Sequence, residues 1–166
     1  MTITQVDRGV RPGPVSQILL PADARALSAL SRVDYEDAFI VDAGVERTAE
    51  QWAHAVLHDA PFAVRARLVS GWTGLGLKLG GPWSSCHVLG WKVQQVSPSV
   101  MLLGADSSLG FEAELLFRSQ PGGLLFATLM RQNNPAARAL WDRTTSTHLG
   151  VVRSLLEHAA RREADR

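Results

Sequence analysis

The residue with the clearest chemical potential is His148, which falls within a long helical pattern near the C-terminus. At about 3.6 residues per turn, it lies in the middle of an apolar stripe that includes Trp141 and Thr144. Burying an imidazole costs about 1–3 kcal/mol unless a partner or a ligand satisfies it. Two interpretations stay open. His148 is either a core histidine bonded to a backbone carbonyl, or a pocket-wall group that orients a ligand atom or transfers a proton near neutral pH.

Aromatic residues on apolar faces are the second candidate group. Trp91 and Phe126 lie on apolar faces of two predicted strands, and Trp141 lies on the helix stripe. If these faces enclose a cavity, their surfaces suit a flat or aliphatic ligand, and ordinary core packing is the alternative for each residue. The predicted ligand-binding set is Trp91, Phe126, Trp141, Thr144 and His148. His148 is the candidate catalytic residue, and Asp37 and Asp106 are the acids that we would test as its partners.

Metal binding and nucleophilic catalysis are not favoured. His54 and His58 have the i, i+4 spacing of metal ligands, with Glu50 one turn earlier, but they lie opposite the apolar side of their helix. No Cys or further His nearby completes a tetrahedral set. Cys86 and His87 are adjacent on a predicted strand, so their side chains diverge. We therefore expect no metal and no cofactor.

Composition excludes several classes of partner. The chain has 166 residues, of which 46% are hydrophobic and 20% charged, as expected for one globular domain. Its 17 basic and 16 acidic residues give a net charge of +1 and form no basic cluster, so no nucleic-acid partner is expected. A single cysteine excludes an intrachain disulfide, and no apolar run approaches the ~20 residues that span a bilayer. These features predict a cytoplasmic location.

The first half of the chain predicts one strand and several short helices. Residues 1–16, rich in Gly and Pro, resemble a flexible lead-in, and a short helical stretch opens shortly after them. Alternation predicts a strand over about 35–42. Thr48 with Gln51 forms a capping-box pattern that begins one helix, and Pro61 begins a second.

The second half predicts a meander of strands followed by a long helix. Four segments alternate with period two, at about 87–96, 100–105, 110–118 and 123–132. The turns between them are short, which favours antiparallel neighbours. Asn134 followed by Pro135 predicts the start of a helix that continues to about residue 162.

Together these segments predict an α+β fold in a single domain over 17–162. A curved antiparallel sheet wraps around the long C-terminal helix, and two short helices after the first strand close one end. A bent sheet and a single helix do not fill the space between them completely, so we expect an internal apolar cavity.

This order of elements resembles the helix-grip fold of the SRPBCC superfamily, over roughly residues 33–160. The superfamily includes START lipid-transfer domains, birch-pollen-allergen-like plant proteins and bacterial polyketide cyclases. The stretches Asp34-Tyr35-Glu36-Asp37-Ala38-Phe39 and Gln132-Asn133-Asn134-Pro135 are similar to a bacterial branch of unknown function. The resemblance implies a pocket for a small hydrophobic molecule, and it does not imply a particular reaction.

Three hypotheses about function follow. The first is binding of a small hydrophobic ligand, lipid- or polyketide-like, in the internal cavity. The second is an enzyme of the polyketide-cyclase type, in which His148 and a nearby acid transfer protons. The third is a non-enzymatic interaction module that forms a homodimer through a sheet edge.

Overall fold

The computed structural model of the protein describes residues 13–166. Its strands are β1 (Val15–Ile18), β2 (Tyr35–Asp42), β3 (His87–Val88), β4 (Trp91–Val96), β5 (Val100–Asp106), β6 (Phe111–Gln120) and β7 (Gly123–Gln132). Over the described residues they form one seven-stranded sheet in the order β1-β2-β7-β6-β5-β4-β3. Every pair of neighbours in this sheet is antiparallel.

The helices begin where the sequence predicts. They are α1 (Ala22–Arg25), α2 (Ala49–Ala53), α3 (Phe62–Gly74) and α4 (Pro135–Ala164), and a π-helical turn (His54–His58) continues α2. The predicted capping box is present, because the Thr48 and Gln51 side chains each accept from the other's backbone N–H. Asn134 caps α4 by accepting from the N–H of Ala137 at 2.7 Å.

The long helix α4 and the short helix α2 with its π-helical turn cover the concave face of the sheet. The long helix α4 packs against β1, β2 and β7, while α2 packs against β5 and β6, and the π-helical turn packs against β3 and α4. The main apolar core lies between these helices and the sheet. The predicted fold is thus confirmed as α+β: a curved antiparallel sheet around a long C-terminal helix, in the helix-grip arrangement, with short helices after β2.

The convex face of the sheet carries a second apolar core. Residues from α1 and from the segments on either side of it, including Leu20, Ala24, Leu27 and Leu30, cover side chains of β2, β5, β6 and β7. The central strand β7 is therefore buried on both faces from residue 123 to 130. None of the described helices is long and apolar enough to cross a bilayer.

Two details of the strand prediction need correction. The predicted strand 87–96 is a hairpin of β3 and β4, and it turns at Leu89 and Gly90, whose φ values are +46° and +90°. A tight hairpin turn of this type needs positive φ at both central residues. Of the two, only Gly90 is a residue type that favours positive φ, so the sequence gives only a weak signal of the turn. A further strand, β1, precedes the predicted first strand. It includes the end of the predicted lead-in, whose residues 1–12 lie outside the described part of the chain.

Candidate functional site

A hydrogen-bonded group of three side chains joins α4 to β2. Nε2 of His148 lies 2.8 Å from Oδ2 of Asp37, and the hydroxyl of Tyr35 donates to the same oxygen at 2.7 Å. Tyr35 and Asp37 share the concave face of β2 because they are two residues apart. Asp37 is only 6% exposed, whereas the His148 side chain is 18% exposed. The group therefore runs from the core to the surface.

The carboxylate of Asp37 determines that Tyr35 and His148 act as hydrogen-bond donors. A carboxylate oxygen only accepts hydrogen bonds, so Nε2 of His148 carries the hydrogen in this contact, and the tautomer that fits it has its lone pair on Nδ1. Burial, together with the hydrogen bond to Asp37, raises the pKa of the Tyr35 phenol well above its usual value, so it stays a donor. Asp106, the other acid considered for His148, is exposed at the end of β5.

Trp141, about two turns before His148 in α4, packs against this group. Its ring centroid lies 4.9 Å from that of His148 and 5.1 Å from that of Tyr35. The Thr144 hydroxyl contacts the carbonyl oxygens of Leu140 and Trp141 in its own helix. Three of the five predicted ligand-binding residues, Trp141, Thr144 and His148, therefore lie on one stretch of α4 beside Asp37.

The other two predicted residues lie in the same core with different aromatic neighbours. Trp91 is 2% exposed and contacts Trp72 of α3, with 5.5 Å between ring centroids. Phe126 is 4% exposed and contacts Phe117 across the sheet at 5.2 Å. The structure thus places all the predicted aromatic residues on the concave side, but it groups only Trp141 directly with His148.

Several buried polar atoms on the concave side have no hydrogen-bond partner among the described residues. They are Oδ1 of Asp37, Oγ1 of Thr128 and the indole Nε1 atoms of Trp52, Trp91 and Trp141. Buried polar side chains in proteins usually have at least one partner. These five atoms are exceptions to that rule, and all of them lie on the side of the sheet that α4 covers.

Sequence reasoning missed Thr128 and Tyr35. Thr128 is directly opposite Asp37 in the pairing of β2 with β7, and it is 3% exposed. Its signal in the sequence is a single hydroxyl within the apolar run from Leu124 to Met130. Tyr35 begins its strand and looks like an ordinary core aromatic, since only the fold brings its hydroxyl to Asp37.

The two best-defined clefts of the described residues are open at the surface. One, of about 160 Å³, is lined by Arg25, Val33, Asp34, Tyr35 and Glu36. The other, of about 300 Å³, lies between Arg47, Thr48 and Ser119. Neither is lined by any of the five predicted ligand-binding residues.

The other two candidate groups, His54 with His58 and Cys86 with His87, do not form a metal site or a catalytic pair among the described residues. The rings of His54 and His58 lie 5.7 Å apart, with His58 exposed. Across residues 13–166, no three His, Cys, Asp or Glu side chains are placed to hold a metal ion together. Cys86 is exposed, and Nδ1 of the neighbouring His87 contacts the Ser84 hydroxyl at 2.7 Å.

Comparison with known proteins gives no functional assignment. No family model matches the chain, and no curated protein matches it. One solved structure with some similarity is that of PA94 from Pseudomonas aeruginosa, a protein of unknown function described as a candidate regulator. The two chains are 18% identical over 86% of this chain and 83% of the other, with a TM-score of 0.25.

Proposed function

We propose that this protein binds a small, largely apolar molecule, lipid- or polyketide-like, between α4 and the concave face of the sheet. The observation that carries the proposal is the set of buried, unpartnered polar atoms on that side of the molecule. The helix-grip arrangement and the order of elements also support membership of the SRPBCC superfamily, whose members commonly hold such ligands.

The unpartnered atoms indicate the chemistry of the ligand. Three are indole N–H groups, which only donate, so they favour a molecule with carbonyl or ether oxygens. The surrounding side chains are aromatic or aliphatic, and their burial excludes a highly polar ligand. A polyketone or an oxygenated lipid combines an apolar body with a few acceptors of this kind.

The middle of α4 is the favoured entry point. The helix has buried side chains at Ala137 and Trp141 and again from Val152 onward, but none over residues 142–151. In this stretch only half-buried side chains, among them Thr144 and His148, separate the core from solvent. A small outward movement of the middle of α4 therefore displaces only half-buried apolar side chains, Leu149 and Val151 among them.

Native mass spectrometry of freshly purified protein tests the proposal directly. We expect a bound species that dissociates on activation and has the mass of a lipid- or polyketide-sized molecule. Uptake of 1-anilinonaphthalene-8-sulfonate, competed by a fatty acid, provides a second readout. Near-UV circular dichroism must show that the protein is folded, because loosened proteins also bind this dye.

A matched pair of tryptophan substitutions locates the binding. Trp141→Leu, which changes the concave side, should alter dye affinity at least about fivefold. Trp83→Leu, at a residue that is 96% exposed, should leave it unchanged. Absence of both a bound mass and dye uptake by the folded protein would disprove the proposal, and so would equal effects of the two substitutions.

Proton transfer is a second candidate function, favoured by the contact of Asp37 with His148. A buried acid that fixes an imidazole tautomer and leaves one ring nitrogen free is a common arrangement for a general base. The test is exchange of the α-protons of 2-tetralone for deuterium in D2O, followed by NMR. His148→Gln should abolish any exchange that the wild type accelerates, whereas His158→Gln, a histidine near the helix end, should retain it. An unchanged rate in His148→Gln excludes this function.

A further inference from the structure

Two of the unpartnered atoms form a pair at one point on the concave face. Asp37 and Thr128 are directly opposite each other on β2 and β7, where side chains of opposite residues lie about 5 Å apart. Both point to the concave side, because their neighbours two residues away, Phe39 and Phe126, belong to the concave core. Oδ1 of Asp37 and Oγ1 of Thr128 are buried there, and neither bonds the other.

The arrangement around Asp37 keeps Oδ1 available. Tyr35 and His148 both donate to the other carboxylate oxygen, Oδ2, and so hold the carboxylate in one orientation. No donor from residues 13–166 reaches Oδ1. The carboxylate is therefore fixed with one oxygen accepting two hydrogen bonds and the other accepting none, on the face that it shares with Thr128.

We propose that this pair is a subsite for a hydroxyl group of the ligand, an inference that depends on the binding function proposed above. A hydroxyl donates one hydrogen bond to Oδ1 of Asp37 and accepts one from the Thr128 hydroxyl, so a single atom satisfies both groups. A ketone or ether oxygen only accepts and leaves Oδ1 unpaired. An ammonium group only donates and gives the Thr128 hydrogen no partner.

Taken with the other unpartnered atoms of the concave side, this subsite narrows the class of ligand. The indole N–H groups of Trp91 and Trp141 favour acceptors at other points of the ligand, and the Asp37–Thr128 subsite favours one donor. The ligand class is a hydroxylated polyketide or lipid, in which a phenol or alcohol lies at the end of an apolar body. Discrimination against the deoxy analogue follows because a missing hydroxyl leaves a buried carboxylate oxygen unpaired.

Three naphthalene probes test the subsite by calorimetric titration of the full chain. These are 2-naphthol, 2-methoxynaphthalene, which keeps the oxygen but donates nothing, and naphthalene itself. We expect 2-naphthol to bind about 10- to 100-fold more tightly than the other two, the range for a hydrogen bond to a charged group. Equal affinity for all three overturns the subsite and leaves the binding function standing. No binding of any probe, with no co-purified mass, overturns both.

A conservative substitution at Thr128 provides a second test of the subsite. Thr128→Val removes the hydroxyl with little change of volume and should cut the preference for 2-naphthol over naphthalene by about fivefold or more, with the affinity for naphthalene unchanged. Thr145→Val is the control, because the Thr145 hydroxyl already donates to the Trp141 carbonyl in its own helix. An unchanged preference in Thr128→Val, or a crystal structure with 2-naphthol in which a water keeps both contacts, overturns the proposal.

Discussion

Two buried carboxylates, one on each face of the sheet, are satisfied in different ways. Glu114, on the convex face, is 1% exposed, and its two oxygens each accept one bond, from the Ser28 hydroxyl at 2.5 Å and the Ala29 N–H at 2.9 Å. Asp37, on the concave face, accepts two bonds on one oxygen, and its other oxygen accepts none from residues 13–166. Both oxygens of Glu114 have donors within the chain, whereas one oxygen of Asp37 has no donor among the described residues.

This difference separates a structural role from a binding role. Glu114 fixes the segment after α1 across the convex core, so its bonds hold two parts of the chain together. Burial raises the pKa of Glu114, while the bonds from Ser28 and Ala29 oppose that change and the nearby charge of Glu112 adds slightly to it. Asp37 is held in place by Tyr35 and His148, yet it keeps an acceptor free. Full satisfaction suits a structural role, and partial satisfaction is what the binding role that we propose requires.

The largest expected effect is that of removing the convex carboxylate. Glu114→Ala removes the acceptor of the Ser28 hydroxyl and the Ala29 N–H and leaves a cavity at a buried position, and it should lower the free energy of unfolding by about 2–4 kcal/mol. Urea unfolding measures the loss. Glu112→Ala, at a more exposed position on the same strand, is the control and should cost less than about 1 kcal/mol. Equal losses of unfolding free energy in the two variants would show that Glu114 does not hold the segment after α1 in place.

A pair of hydroxyl deletions compares the two faces directly. Ser28→Ala and Tyr35→Phe each remove one hydroxyl donor to a buried carboxylate. We expect Ser28→Ala to cost about 2 kcal/mol, because an oxygen of Glu114 loses its partner, and Tyr35→Phe about 1 kcal/mol, because His148 still donates to Asp37. Denaturant midpoints of the two variants provide the measurement. A larger loss for Tyr35→Phe contradicts the comparison.

Glu114 also predicts a dependence of stability on pH. A carboxyl with a raised pKa in the folded protein binds its proton more tightly there than in the unfolded chain. Its contribution is therefore fully present below the ordinary pKa of 4.5 and is lost as the pH rises through the folded value. Glu114→Gln stays uncharged, and its amide can donate to the Ser28 oxygen. Its stability relative to wild type should therefore rise over this window.

Thermal unfolding between pH 4.5 and 8 checks this prediction. The window avoids Asp34, whose pKa is lowered to about 2, first by its hydrogen bond with Arg32 and then by that with the Gln132 backbone. A constant difference between Glu114→Gln and wild type across the window would contradict it.

The smallest expected effect is on the concave face. Thr128→Val removes a buried hydroxyl that has no partner among the described residues, so ligand-free protein should be as stable as wild type or about 1 kcal/mol more stable. Differential scanning calorimetry of delipidated protein measures this change. A loss above about 1 kcal/mol would show that the hydroxyl is needed for folding and would remove Thr128 from the binding site.

Much of the local structure could be predicted because its causes lie within a few residues. The Thr48–Gln51 capping box and the Asn134–Pro135 helix start are short-range signals, and both are present. The turn at Leu89 and Gly90 was missed because leucine seldom adopts positive φ. Here the pairing of two strands imposes a backbone conformation that the local sequence does not favour.

The candidate site could be predicted only in part. The helical stripe places His148 on the side of α4 that faces the sheet, and Asp37 was one of two acids considered as its partner. Their contact joins residues 111 positions apart, and the pairing of β2 with β7 brings Thr128 opposite Asp37. Such contacts depend on how strands are ordered across the sheet, which periodicity does not encode.

The sequence by itself determined most of the strands and helices and the apolar face of each, because these properties follow from residue type and spacing; β1 and the hairpin of β3 and β4 are the exceptions. Only the tertiary structure decided which polar atoms find partners. Glu114 and Asp37 are both acids on largely buried strands, and their residue type does not show how each will be satisfied. The distinction arises because a hydrogen bond needs a donor within about 3 Å, and distant segments supply those donors.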